Sequence, residues 1–151
     1  MKMFARMFAL MLLFAATSAT AVEESLLMMR STQSFPETML ALQKRLGEYG
    51  YTISRVQRVD IGLTSSGFQT DKYRIVFYGK PGEIRKLSTS HPELIPYLPL
   101  KMTIFAEQEE TLLVALDPTM LHDVVDDEEF HYTLQRWKND ILSIMDELRE
   151  Y

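Results

Sequence analysis

Hydrophobic positions along the chain switch between two periods. Phe35, Met39, Leu42, Leu46 and Tyr49 recur at steps of four and three residues, one stripe of a helix. Ser34 can cap that helix, Pro36 suits its first turn, and Glu37 completes a capping box; Gly47 and Gly50 end it. The pattern predicts a helix over residues 35–49, preceded by a short apolar strand over residues 25–31. Residues 51–63 alternate Ile53, Val56, Val59 and Ile61 with polar side chains, a strand with one irregularity. A turn-rich hairpin tip over 64–71 leads into a second strand over 72–78, which Gly79-Lys80-Pro81-Gly82 breaks. Ile84 and Leu87 allow a short helix, and Pro92, Pro96 and Pro99 make residues 91–99 an ordered turn segment.

Residues 101–107 and 111–117 then form a hairpin about the turn 108–110, closed by Asp117-Pro118. Asp126, Asp127, Glu128 and Glu129 open a last helix with acids where the helix dipole favours them. Phe130, Leu134, Trp137, Ile141, Ile144, Met145 and Leu148 mark its buried stripe. About 23 residues at 1.5 Å each make that helix roughly 35 Å long, enough to cross a sheet. The order β-α-β-β-(short α)-β-β-α predicts an α+β fold, an antiparallel sheet in two layers with helices gathered on one face.

The first 21 residues read differently. Lys2 and Arg6 precede the apolar run 7–16, and Ala19-Thr20-Ala21 supplies a small-x-small exit. Those three parts make a cleavable secretory signal peptide over residues 1–21, leaving a single domain over residues 22–151. A spanning helix needs about 20 apolar residues, roughly twice this run, so no stable membrane insertion is expected after cleavage. The expected location is periplasmic or secreted.

Charge narrows the partners. Cleavage would move the formal charge from −5 to −7, because Lys2 and Arg6 leave without an acid. That balance argues against nucleic acid. Residues 30–101 carry 11 basic and 6 acidic side chains, whereas residues 102–151 carry 3 and 13. The segregated charges are expected either to solvate a turn and a helix start or to meet, within the fold or across a dimer. No cysteine is present, which removes thiol catalysis, cysteine-zinc sites and a lipid-anchoring cysteine.

Tyr73 to Pro81 (YRIVFYGKP), Leu98-Pro99 and Asp117-Pro118, in this order and spacing, resemble the bacterial and archaeal family known as domain of unknown function 302. Ser34-Phe35 with Glu37-Thr38, and Gly50-Tyr51, fit the same pattern. The resemblance runs from about Leu26 to Leu148. It implies a TATA-binding-protein-like α+β fold, usually a homodimer, with no established general activity. Two cysteines usual in that family fall at Gly79 and Leu100, and its turn asparagine falls at Lys80. A thiol, metal or redox role of the pair therefore does not carry over. Tyr73, Pro81 and Pro99 survive of that constellation, with Asp117 and Pro118 beyond it.

Side-chain chemistry offers few sites. His91, His122 and His131 share no metal-ligand spacing. Met120 and His122 are the nearest approach to a thioether-imidazole copper pair. Ser88-Thr89-Ser90-His91 sets hydroxyls beside an imidazole, but no nucleophile elbow surrounds them, and capping is their expected role. Pro81 removes an amide donor from the one glycine-bearing turn that could cradle phosphate. The segment from Tyr78 to Pro99 collects Lys80, Arg85, Lys86 and His91, a group suited to an anion or an acidic partner face. Tyr73, Lys80, Pro81, Arg85, Lys86, His91 and Pro99 are thus the ligand or partner candidates, with no catalytic residue and no cofactor. The expected function is an exported, non-enzymatic binding or interaction domain acting as a homodimer. Its alternative is a carrier of a small apolar ligand between sheet and last helix, in a pocket drawing on Phe68, Tyr73, Phe77, Met102, Phe105, Phe130 and Trp137; beside a second copy of the chain, the expected partner is a small anionic or apolar ligand. A metal-handling accessory role or an enzyme ranks behind both.

Overall fold

In the computed structural model, which describes residues 25–149, the two hydrophobic periods sort into one sheet and its helices. The expected signal peptide lies outside the described residues. Strands β1 (Leu26–Ser31), β2 (Thr52–Arg58), β3 (Tyr73–Gly79), β4 (Leu100–Glu107) and β5 (Glu110–Leu116) form an antiparallel sheet in the order β1-β5-β4-β3-β2. Helices α1 (Phe35–Glu48), α2 (Val59–Ser65), α3 (Pro81–Ser90) and α4 (Glu128–Arg149) accompany it, with 3-10 turns over Pro92–Tyr97 and Pro118–Asp123. The expected α+β architecture is present.

Local chemistry explains the helix starts. The Glu37 carboxylate accepts from the backbone N–H of Ser34 at 3.2 Å and from its hydroxyl at 2.7 Å, closing the capping box of α1. Asp127 Oδ1 accepts from the Phe130 N–H at 2.7 Å at the head of α4. All seven stripe residues of α4, from Phe130 to Leu148, are buried. Against them lie Met29, Val76, Tyr78, Met102, Ile104, Leu113 and Ala115 from the sheet, and Leu42 and Leu46 from α1.

One element departs from expectation. The strand read over 51–63 ends at Arg58, and Val59–Ser65 is helical. The ladder between β2 and β3 runs out at the Arg58–Arg74 pair. Beyond it, residues 59–65 satisfy their backbone groups locally, and the Ser65 and Ser66 hydroxyls donate to the Ile61 and Gly62 carbonyls. Asp60, in the first turn of α2, pairs with Arg74 of β3 and anchors the helix there. Val59, Ile61 and Leu63 alternate, so their spacing imitates a strand. The irregularity expected in β2 is a register shift between Ile53 and Arg55.

Candidate functional site

The segment joining β3 to β4 holds most of the sequence candidates, and the fold divides them among separate surroundings. Lys80 turns inward. Its Nζ stands 4.7 Å from the centre of the Tyr51 ring and 3.5 Å from Asp140 Oδ2, which also accepts the Tyr51 hydroxyl at 2.8 Å. Arg136 donates to Glu83 at 2.8 Å, and the Trp137 indole N–H donates to the other oxygen of Glu83 at 2.9 Å. Burial, reinforced by the bond to Asp140, pushes the Tyr51 hydroxyl far above its ordinary value, so it stays protonated and donates. Each group of this cluster is paired, which makes it a clasp between α3, α4 and the sheet.

Lys86 and His91 face a different space, a groove of about 330 Å³ between α3 and the first turns of α4. His91 stacks on Phe130 at 6.3 Å between ring centres and lies between two carboxylates, Glu93 at 3.5 Å and Asp127 at 3.8 Å. Lys86 pairs with Glu129 across the groove. Pro81, Arg85 and Pro99 border a third, shallow hollow of about 380 Å³ that includes Gly79 and Ile84. Gly79 belongs there for steric reasons: a Cβ on it would stand 2.7 Å from Cγ1 of Ile84. The isoleucine thus fills the space into which a side chain at position 79 would grow, where the resembled family carries a cysteine.

The remaining candidates fall elsewhere. Tyr73 opens β3, and its ring meets Phe105 edge-on at 6.1 Å. His122 stacks on His131 at 4.1 Å, and Met120 is half exposed. Among the described residues no group of three histidines or carboxylates could hold a metal ion. The Ser88 and Thr89 hydroxyls donate to the carbonyls of Ile84 and Arg85, one helical turn back, so they bond within α3 and do not cap it as expected.

The most extensive feature is one that the sequence reading passed over. Neither α1 nor α4 covers the second face of the sheet. Leu26, Met28 and Leu116 there are exposed by 39%, 55% and 46%. Leu112, Val114, Phe105, Tyr73, Ile75 and Phe77 share that face and are half-buried by one another. The register sets Met28 beside Val114, Val114 beside Thr103 and Thr103 beside Ile75, a row that crosses four strands. The signal was available in the runs TLLVAL and YRIVFY, which are apolar at successive positions. A strand with one wet face would alternate; these are apolar on both.

The model of the family described as "Domain of unknown function DUF302" matches residues 27–148. The crystal structure of the uncharacterized conserved protein DUF302 from Bacillus stearothermophilus superposes with a TM-score of 0.74 at 18% identity, covering 82% of this chain and 98% of that one. No curated protein matches the chain. At that identity the superposition speaks for the fold, and the family model spans most of the sequence: the chain belongs to the DUF302 family.

Proposed function

We propose that the protein is an exported, non-enzymatic interaction domain that works as a homodimer through the open face of its sheet. The observation that carries this reading is the apolar surface built on Met28, Leu112, Val114, Leu116, Ile75, Phe77 and Phe105. Contiguous apolar patches of this kind mark interaction sites in soluble proteins. Five strands spaced about 4.8 Å apart, with about six residues each at 3.4 Å, make a face of roughly 24 by 20 Å, with its apolar centre on β1, β5, β4 and β3 and a polar rim that includes Arg55 and Gln57 of β2. Two such faces together bury on the order of 1,000 Å², the size at which specific interfaces begin. A two-fold pairing places the same patch of each copy on its mate.

The other readings draw less support. Met102, Phe130 and Trp137 are packed to 1% exposure or less beneath the sheet, while Tyr73, Phe77 and Phe105 stand on its opposite face. These side chains therefore do not converge on one pocket for an apolar cargo. The separated charges meet within the fold: Arg45 reaches Glu147 at 3.0 Å, Lys80 reaches Asp140 at 3.5 Å, and Arg30 pairs with Glu107. That leaves apolar contact as the source of association. Val114→Glu sets a charge in the middle of the patch without touching the core. The variant is expected to stay folded by circular dichroism and to sediment as a monomer where the parent sediments as a dimer. A variant as dimeric as the parent would sink this interface.

A further inference from the structure

The open face of the sheet carries charge of opposite sign at its two ends. Lys101 and Glu107 of β4 are an even number of positions apart, so they share that face, about 20 Å from each other. At the Lys101 end the register sets Phe77 between Lys101 and Arg55. The hollow at Gly79 and Pro99, bordered by Arg85, lies just beyond. Lys101, Arg55 and Arg85 are exposed, and none has a carboxylate partner among the described residues. At the other end the turn between β4 and β5 gathers Glu107, Glu109 and Glu110 against one arginine. Arg30 pairs there with Glu107 and stands 3.7 Å from Glu110, and Glu109 has no cationic partner among the described residues. Two apolar rows separate the ends, one through Met28, Val114 and Ile75, the other through Leu112, Phe105 and Tyr73.

We propose, resting on the open-face homodimer proposed above, that the two sheets dock with their strands antiparallel, each acidic turn lying over the basic end of the other copy. Aligned sheets packed face to face can be related by a two-fold axis in two ways. An axis along the strands brings the basic ends together and sets the acidic turns side by side; such like-charge contacts count against it. An axis across the strands, over Ile104 in the middle of β4, exchanges the ends. Lys101 then meets Glu107 of the other copy, and the turn beyond Glu107 reaches toward Arg85 and the hollow. The row through Met28 and Val114 covers the row through Leu112 and Phe105. Exposed rim pairs add little affinity, so apolar burial holds the copies together and charge decides which way round they sit.

The chain has no cysteine, so cysteines introduced singly report on proximity. Gln108→Cys and Leu116→Cys alter no charge and mark opposite ends of the face. A bis-maleimide with a reach of about 10 Å, the spacing of packed sheets, should join the two variants when they are mixed and allowed to exchange. It should join neither variant to itself, because like positions then stand roughly 20 Å or more apart. Thr103→Cys, close to the axis on the central strand, should cross-link to itself. Lys101→Glu should raise the Kd of the dimer about 10-fold, and adding Glu109→Lys to the same chain should restore it. Gln108→Cys linking to itself as readily as to Leu116→Cys would overturn the antiparallel docking. A Kd unmoved by Lys101→Glu would overturn the role of charge in choosing it. Failure of Thr103→Cys to cross-link would instead overturn the open-face dimer itself.

Discussion

Asp117 sits at the end of β5 with 2% of its surface exposed, yet it is charged. Burial alone would raise its carboxyl, but the Lys138 ammonium and the hydroxyl and N–H of Thr119 outweigh it and hold the group below its usual range. A carboxylate depressed in the folded state stabilises the fold above its unfolded pKa of about 3.9, and that contribution is lost as pH falls through the lower folded value. Asp117→Asn should therefore destabilise the protein at pH 7, and the gap from the parent should narrow below about pH 4. Urea melts at several pH values check this; a gap that stays constant into acid would contradict the ion pair. Tyr78 makes the opposite case. Its hydroxyl leaves no partner stranded, so Tyr78→Phe should melt at the same temperature as the parent or higher. A loss of about 1 kcal/mol or more would show that the hydroxyl is bonded in the free protein.

At the scale of elements, legibility followed how far each segment's own pattern decides its structure. In α4 the stripe from Phe130 to Leu148 was readable because one helix face packs on one sheet face, and each stripe residue is buried as its spacing requires. Trp137, fully buried in mid-stripe with its N–H on Glu83, should cost about 3–5 kcal/mol on replacement by alanine. The parent should show a blue-shifted fluorescence maximum, whereas a water-like maximum in the folded protein would contradict this packing. Residues 59–65 were misread because alternation at Val59, Ile61 and Leu63 does not reveal that the ladder with β3 ends at the Arg58–Arg74 pair. Pairing is a non-local fact. The candidates between Tyr78 and Pro99 failed to converge for a similar reason. Nearness in sequence gathered Lys80, Arg85, Lys86 and His91, but α3 and its flanks send Lys80 to Asp140, Arg85 to the shallow hollow and the other two to the groove beside α4.

For the whole molecule, the composition at each end of the chain bears on where the protein works and with what. The small-x-small exit at Ala19-Thr20-Ala21 leads us to expect an exported chain whose intact mass begins at Val22; a mature protein retaining Met1 would contradict export by cleavage. The charge imbalance between the two portions of the chain was visible in the sequence, and its partners were not. Arg45 with Glu147 and Lys86 with Glu129 pair part of it inside the fold, between the two oppositely charged portions. The open face, by contrast, depends on which side of the sheet the helices take, and no single strand records that. Its apolar character sets how the proposed dimer should respond to salt. Screening shortens to about 3 Å at 1 M salt, which would loosen an interface held by charge and leave an apolar one intact or tighter. Multi-angle light scattering of the mature chain at low salt and at 1 M salt is the most direct measurement. The mass of two chains at both concentrations is the predicted result. A single chain at every protein concentration, or a dimer that dissociates as salt rises, would contradict association through the open sheet face.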